Sequence, residues 1–237
     1  MIRIAAVGDL HYGRDSTGTC AIDPGALSAQ ADVLLLAGDL TRVGEPAEAE
    51  LLARELAGVR IPIFAVLGNH DYHAAEAPAV VQRFADVGVE VLEGTGAVVQ
   101  VNGARVGIAG TKGFGGGFAG ACGTDFGEPE MKAFVGHTKD LAGKFAHALA
   151  QLSADVRVAL LHYAPIKDTL LGERLEIYPF LGSYLLGQAV DEAGADLAVH
   201  GHAHGGTEKG VTPGGVHVRN VAQPVIRRPY RVYCLDE

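Results

Sequence analysis

The chain has 237 residues, 48% hydrophobic and 20% charged, enough apolar material to bury a sizeable core and too much for a disordered chain. Its formal net charge of −9 argues against a general phosphate-backbone binder, which needs a Lys/Arg surface. It does not argue against an anionic substrate, because bound divalent cations reverse the local field.

Ile2–Val7 is apolar except for Arg3 and reads as a buried strand ending at Gly8-Asp9-Leu10-His11. Asp23-Pro24 offers an N-cap followed by proline at the first helical position, which predicts a short helix through Gln30. Val33–Ala37 is a second buried strand, ending at Gly38-Asp39. Residues 45–56, rich in Ala, Leu and Glu, predict a helix. A third strand over 61–67 ends at Gly68-Asn69-His70-Asp71, and 78–87 predict another helix. This alternation indicates a parallel α/β arrangement.

The pattern then changes. Residues 97–101 and 105–109 flank Asn102-Gly103, a two-residue hairpin signal, so the sheet is mixed or a second sheet begins. Residues 111–125 are glycine-rich and read as a flexible connection. Glu128-Pro129 opens a long helix whose apolar residues Met131, Phe134, Leu141, Phe145, Leu149 and Leu152 recur at three, four and seven. Val156–Leu161 is a strand ending at His162, 185–193 a helix, and 197–199 a strand running into His200-Gly201-His202-Ala203-His204. Pro213-Gly214-Gly215 joins two short strands, and Arg231–Leu235 closes the chain. No linker, charge run or repeat divides it, so one domain over residues 1–237 is expected.

Five strand ends thus deliver Asp9 and His11, then Asp39, then Asn69 and His70, then His162, then His202 and His204. Residues i and i+2 of an extended segment point the same way, so Asp9 with His11, and His202 with His204, can each present two ligands to one place. Imidazole nitrogen, carboxylate oxygen and amide oxygen all bind divalent metals. Taken singly, each motif is read equally well as a polar turn, a half-buried histidine or a surface loop. Chance is a poor account of all five together, because open α/β sheets place their ligands at these strand ends. Seven candidate ligands exceed one tetrahedral site and suit two ions sharing a carboxylate.

These five ordered motifs resemble those of the calcineurin-like metallophosphoesterase superfamily, over residues 8–204. The resemblance implies a four-layer α/β/β/α sandwich of two mixed sheets, with a two-metal hydrolytic site at one edge. It assigns one metal to Asp9, His11 and His204, the other to Asn69, His162 and His202, and makes Asp39 the bridge. It makes His70 the acid that protonates the leaving group, with Asp71 orienting its ring. The implied reaction is phosphodiester or phosphomonoester hydrolysis by hydroxide formed from metal-bound water, with manganese or iron, or else zinc, as cofactor. An imidazole's ordinary pKa, about 6.5, suits the acid role. In the Ser/Thr protein phosphatases an Asp-Arg-Gly follows the second motif and Glu follows the third-motif His. Here Arg42 stands one place early and Asp71 replaces Glu, so the match is closer to the small bacterial phosphodiesterase-like branch.

The partner expected is a small phosphorylated substrate, with long nucleic acid disfavoured by the acidic composition. Two readings compete: a protein-binding scaffold on the same fold, as in the retromer scaffold subunit, and a nuclease. Scaffolds lose ligands or the acid histidine, whereas every position is filled here. Cys20, Cys122 and Cys234 lie far apart without CxxC spacing, which fits a reducing compartment. Met1 leads straight into the first strand without a charged leader, and no apolar run nears the roughly 20 residues of a membrane helix, so a soluble cytoplasmic protein is expected.

Gly115-x-Gly117-x-x-Gly120 spells a dinucleotide fingerprint but opens no helix immediately after it. A functional variant has Lys112 and the amides of residues 111–117 form a lip that meets phosphate. His73 reads as a solvated loop residue, and His200 as a core or supporting group. His137, His147, His217 and Arg227-Arg228 read as structural or solvated groups.

Overall fold

The computed structural model describes residues 1–16 and 21–235; Cys20 lies outside the described residues. Strand β1 (Ile2–Val7), helix α1 (Pro24–Gln30), β2 (Val33–Ala37), α2 (Pro46–Leu56), β3 (Ile63–Val66), α3 (Ala77–Ala85) and β4 (Val89–Val91) alternate as the pattern predicts, with β4 as an added short strand. Asp23 caps α1 by accepting from Ala26 N–H at 2.6 Å, ahead of Pro24. The hairpin β5 (Thr95–Val101) and β6 (Ala104–Thr111) turns at Asn102 and Gly103, both with positive φ. A small hairpin β7 (Gly117–Phe118) and β8 (Ala121–Cys122) follows. Next come α4 (Pro129–Ala150), β9 (Val156–Leu161), α5 (Tyr178–Leu181), α6 (Tyr184–Ala193) and β10 (Leu197–His200). The chain closes with β11 (Lys209–Val211), β12 (His217–Asn220), α7 (Gln223–Ile226) and β13 (Arg231–Leu235).

Two mixed sheets result. The first runs β13-β1-β2-β3-β4, parallel except for β13. The second runs β11-β12-β10-β9-β6-β5, with β6, β9, β10 and β12 parallel and an antiparallel strand at each edge. Alternating residues of one strand sort into different layers. Ala5, Val7, Leu34 and Leu36 pack on Leu27 of α1, Leu52 of α2, and Val80 and Phe84 of α3. Ile4, Ala6, Val33 and Leu35 meet Val106, Ile108, Val158 and Leu160 of the other sheet. Ala109, Ala159, Leu161 and Ala198 pack on Phe145 and Leu149 of α4 and on Leu186 and Val190 of α6. The order is helices, sheet, sheet, helices, as expected. Strands covered on both faces need no polar alternation, which explains the continuous apolar runs of β1, β2 and β3.

The backbone laces the strand ends together. Asp9 N–H donates to Gly38 O at 2.8 Å, His11 N–H to Asp39 O at 3.0 Å, and Gly201 N–H to His162 O at 3.1 Å. Val221 N–H donates to His200 O at 2.7 Å and Gly8 N–H to Val221 O at 2.9 Å, so Val221, the residue after β12, ties the two sheets at this edge.

Residues 112–118 are not the flexible connection the glycines suggested. The backbone is packed, and most of its side chains are buried or half-buried. Gly116 N–H donates to Pro179 O at 2.6 Å, Gly117 N–H to Gly182 O at 2.8 Å, and the Thr138 hydroxyl to Gly115 O at 2.6 Å. The glycines serve close packing against α5 and α4, a need that composition does not distinguish from flexibility.

Candidate metal centre

The structure brings all nine sequence-predicted site residues to one edge of the two sheets. Three sets of side chains each place ligand atoms within 4.8 Å of one another: Asp9 with His11 and His204, His11 with Asp39 and His70, and Asp39 with His162 and His202. His11 is shared by the first two sets and Asp39 by the last two, so the three sets are linked in a chain.

The extended-strand reason given for this convergence does not hold. Asp9, His11, Asp39 and His202 all lie in the left-handed region, with φ of 59°, 45°, 50° and 69°. Such backbone costs on the order of 1 kcal/mol per residue and turns each side chain away from its strand direction. His202 and His204 consequently join different sets rather than one place. Gly68 and Gly201 permit the close approach. A Cβ on Gly68 would collide with the Asp39 carboxylate, and one on Gly201 with the Asp9 carboxylate.

In the first set, His204 Nε2 lies 2.8 Å from Asp9 Oδ1 and 3.5 Å from His11 Nε2. The Asp9 carboxylate also accepts His202 N–H, 3.0 Å from each oxygen. Burial pushes the Asp9 carboxyl up to about 6, against the pull of His204. The hydrogen bond to Asp9 raises His204.

In the set on the other side, His162 is fully buried and its Nδ1 lies 2.9 Å from Ala37 O. A carbonyl only accepts, so Nδ1 carries the proton and Nε2 presents a lone pair. That lone pair sits 3.1 Å from Asn69 Oδ1 and 3.4 Å from Asp39 Oδ1. His202 Nε2 lies 3.2 Å from Phe180 O, which by the same logic leaves Nδ1 free toward the site. Burial pushes both imidazoles down to about 3, so both are neutral at pH 7. Acceptor atoms thus converge around the buried His162. A cation among them satisfies all of them, so the donor set fits divalent metal.

His70 begins a single turn of tight helix, His70–Tyr72, after β3. Its N–H donates to Asp39 Oδ1 at 2.8 Å, and its Nδ1 lies 2.7 Å from Arg42 O. The proton therefore sits on Nδ1, and Nε2 faces the centre 4.0 Å from Asp39 Oδ2. This corrects the role expected of Asp71, since the Arg42 carbonyl holds the ring. Asp71 is fully buried and accepts from Thr41 N–H (2.8 Å), Thr41 Oγ1–H (2.6 Å), Gly68 N–H (2.8 Å) and Leu40 N–H (3.2 Å). It braces the two loops that carry Asp39 and His70. Burial pushes its carboxyl up to about 6 in spite of these bonds.

The remaining candidates lie apart. His200 is buried behind the centre, with Nδ1 2.7 Å from Gly201 O and Nε2 2.8 Å from Thr169 Oγ1. His73, His137, His147, His217, Arg227 and Arg228 are exposed. Four amides of the expected phosphate lip, those of Lys112, Gly113, Gly116 and Gly117, are committed elsewhere. Lys112 N–H points at Glu93 Oε2 (3.1 Å) and Gly113 N–H at Thr111 Oγ1 (3.1 Å), while Gly116 and Gly117 are committed as described above. Sequence reasoning missed the carbonyls of Ala37, Arg42 and Phe180, because a backbone acceptor leaves no mark on residue type.

Two mixed α/β sheets with a His/Asp/Asn cluster at their shared edge define a protein of the metallophosphoesterase class. The chain belongs to the calcineurin-like phosphoesterase family, whose model matches residues 2–206. Comparison with curated proteins gave no match. Among solved structures, the phosphopantetheinyl hydrolase of Mycobacterium tuberculosis aligns with a TM-score of 0.70 at 17% identity, covering 98% of this chain and 96% of that one. TT1561 of Thermus thermophilus aligns at 0.55 and 18% identity, over 92% and 88% of the two chains. A hypothetical protein from the same organism aligns at 0.55 and 14%, over 92% and 75%. At these identities the likeness is one of fold.

Proposed function

We propose that the protein is a two-metal phosphoesterase acting on a small phosphorylated substrate, with a phosphodiester favoured over a monoester. Asp9, His11 and His204 would hold one divalent ion and Asn69, His162 and His202 the other, with Asp39 shared between them. The observation that carries this reading is the convergence of acceptors on His162: its Nε2 lone pair lies 3.1 Å from Asn69 Oδ1 and 3.4 Å from Asp39 Oδ1, with its ring proton committed to Ala37 O.

When bound, such ions supply Lewis-acid charge and a nucleophile drawn from water. Manganese or iron suits this mixed N/O set, as does zinc. Asn69 contributes an oxygen without a charge, so the centre keeps positive charge for an anionic substrate. Asp39 also accepts the His70 N–H, which ties the shared ligand to the acid. Arg42 O fixes the His70 tautomer and ring plane, and Nε2 is left to carry a proton to the departing oxygen. No helix among the described residues is long and apolar enough to cross a membrane, and the sparse cysteines suit a cytoplasmic setting.

The test is hydrolysis of bis(p-nitrophenyl) phosphate and p-nitrophenyl phosphate with Mn2+. Turnover is expected to vanish in Asp39→Ala. In His70→Ala, turnover of an alkyl phosphodiester, whose alkoxide must be protonated to leave, is expected to fall by roughly 10²–10⁴-fold while bound metal is retained. Absence of turnover with Mn2+, Fe2+ and Zn2+ alike overturns the reading.

A further inference from the structure

Beside the centre lies a cavity of about 440 Å3 lined by Asn69, Tyr72, Glu93, Lys112, Phe114, His137, Leu141 and Tyr163. Its volume is within the range of small-molecule sites. Asn69 is a wall of this cavity and also faces His162 at 3.1 Å, so cavity and centre share a side chain. Three rings line it: Phe114 and Tyr163 have centroids 5.8 Å apart, and Tyr72 joins them around Lys112.

Lys112 Nζ lies 5.4 Å from the Tyr72 centroid, 5.0 Å from Phe114 and 5.2 Å from Tyr163. It donates to Gly113 O at 3.0 Å. Among the described residues it forms no ion pair with a carboxylate. The nearest candidate, Glu93, is taken up by Thr111 Oγ1 at 2.7 Å and by the Lys112 backbone N–H. A half-buried ammonium held by rings at the edge of an anion-processing centre has N–H groups to offer. Its burial lowers its pKa, and the charges of Glu93 and Asp39 act against that.

We propose that this cavity receives the non-reacting half of the substrate as a planar aromatic group, and that Lys112 contacts the phosphoryl oxygens at its mouth. This rests on the phosphoesterase reading. The rings give offset or edge-on partners to a flat group, and Leu141 gives an apolar floor. Lys112 joins the two halves: its ammonium sits among the rings with one N–H on Gly113 O, and its remaining N–H groups serve the phosphoryl oxygens. Tyr72, Glu93 and Tyr163 can present polar groups to the rim of an inserted ring, which suits a heteroaromatic group better than an alkyl chain.

The experiment compares two non-hydrolysable probes, phenylphosphonate and methylphosphonate, by calorimetric titration of the full chain with Mn2+ and after chelation. Phenylphosphonate is expected to bind Mn2+-loaded protein at least about tenfold more tightly. Phe114→Ala, and independently the more exposed Tyr72→Ala, are expected to remove that preference while methylphosphonate affinity stays within about twofold. Lys112→Met is expected to weaken both probes by about tenfold. Equal affinity of the two probes for the wild-type chain, a preference that survives both ring variants, or no binding of either probe overturns the proposal. Turnover of p-nitrophenyl esters, measured in parallel, separates the outcomes. Turnover without a phenyl preference removes the pocket and leaves the phosphoesterase reading. A phenyl preference without turnover removes the phosphoesterase reading and leaves the pocket.

Discussion

Gly68→Ala places one methyl group directly against Asp39. The new Cβ would collide with Asp39 Oδ1 and with its backbone N. Gly68 is outside the positive-φ set, so alanine meets no backbone strain and the effect is steric alone. Overpacking of this kind costs about 1–3 kcal/mol. The displaced Asp39 also loses its acceptance of His70 N–H at 2.8 Å, a charge-assisted bond worth about 1.5–3 kcal/mol. The sum is roughly 2.5–6 kcal/mol, which for a chain of this size lowers the melting temperature by about 5–24 °C. Gly136 in α4 is the control. A Cβ there meets nothing within 4 Å, so Gly136→Ala should stabilise by about 0.5–1 kcal/mol through helix propensity. Calorimetry on chelator-treated protein measures both without interference from metal. Elemental analysis after reloading should then find about two Mn2+ per chain in wild type and in Gly136→Ala, and one or none in Gly68→Ala. A Gly68→Ala protein that melts with wild type and keeps its metal would refute the claim that Asp39 is held by this contact.

Three further outcomes follow from the site. Arg42→Ala keeps the carbonyl that holds His70, so turnover should stay within about threefold, whereas Asp71→Ala leaves four buried donors unmet and should cost at least tenfold; equal losses would return the orienting role to Asp71. The metal-free protein should lose stability as pH falls from about 6.5 toward 4, read as a falling melting temperature. His162 and His202 at about 3 and His200 at about 4 take up protons only on unfolding, so the stability they supply is present above their ordinary pKa and lost below it. Asp9 and Asp71, raised to about 6, offset part of this because they bind protons in the folded state first. Saturating Mn2+ should raise the melting temperature at pH 7 and do so less at pH 5.5, since protons compete for the histidines.

Much of the architecture was legible because local signals agreed with it. The runs at β1, β2, β3, β9 and β10 are apolar on both faces, as strands buried between layers must be. Asp23-Pro24 and Glu128-Pro129 marked helix starts, and Asn102-Gly103 marked the hairpin where the parallel pattern ends. β4 escaped notice because three residues carry too little periodicity, and β7 and β8 because two-residue strands have none. The buried course of 112–118 escaped for another reason: glycine is equally at home where the chain is loose and where backbone is crowded.

The side chains that meet at the sheet edge are all present in the sequence, since their types and their places after strands depend only on local order along the chain. How they meet is a property of the tertiary structure. Left-handed backbone at Asp9, His11, Asp39 and His202 sets where each ligand points, and His202 and His204 join different sets. The carbonyls of Ala37, Arg42 and Phe180 choose which nitrogen of each ring faces the centre. Asp71, adjacent to His70 in sequence, braces Thr41 instead, thirty residues away. Tyr72, Phe114 and Tyr163 come from three segments far apart in the chain, so only packing sets them around Lys112. Residue type is written locally, whereas tautomer, approach and enclosure depend on contacts between segments far apart in the chain.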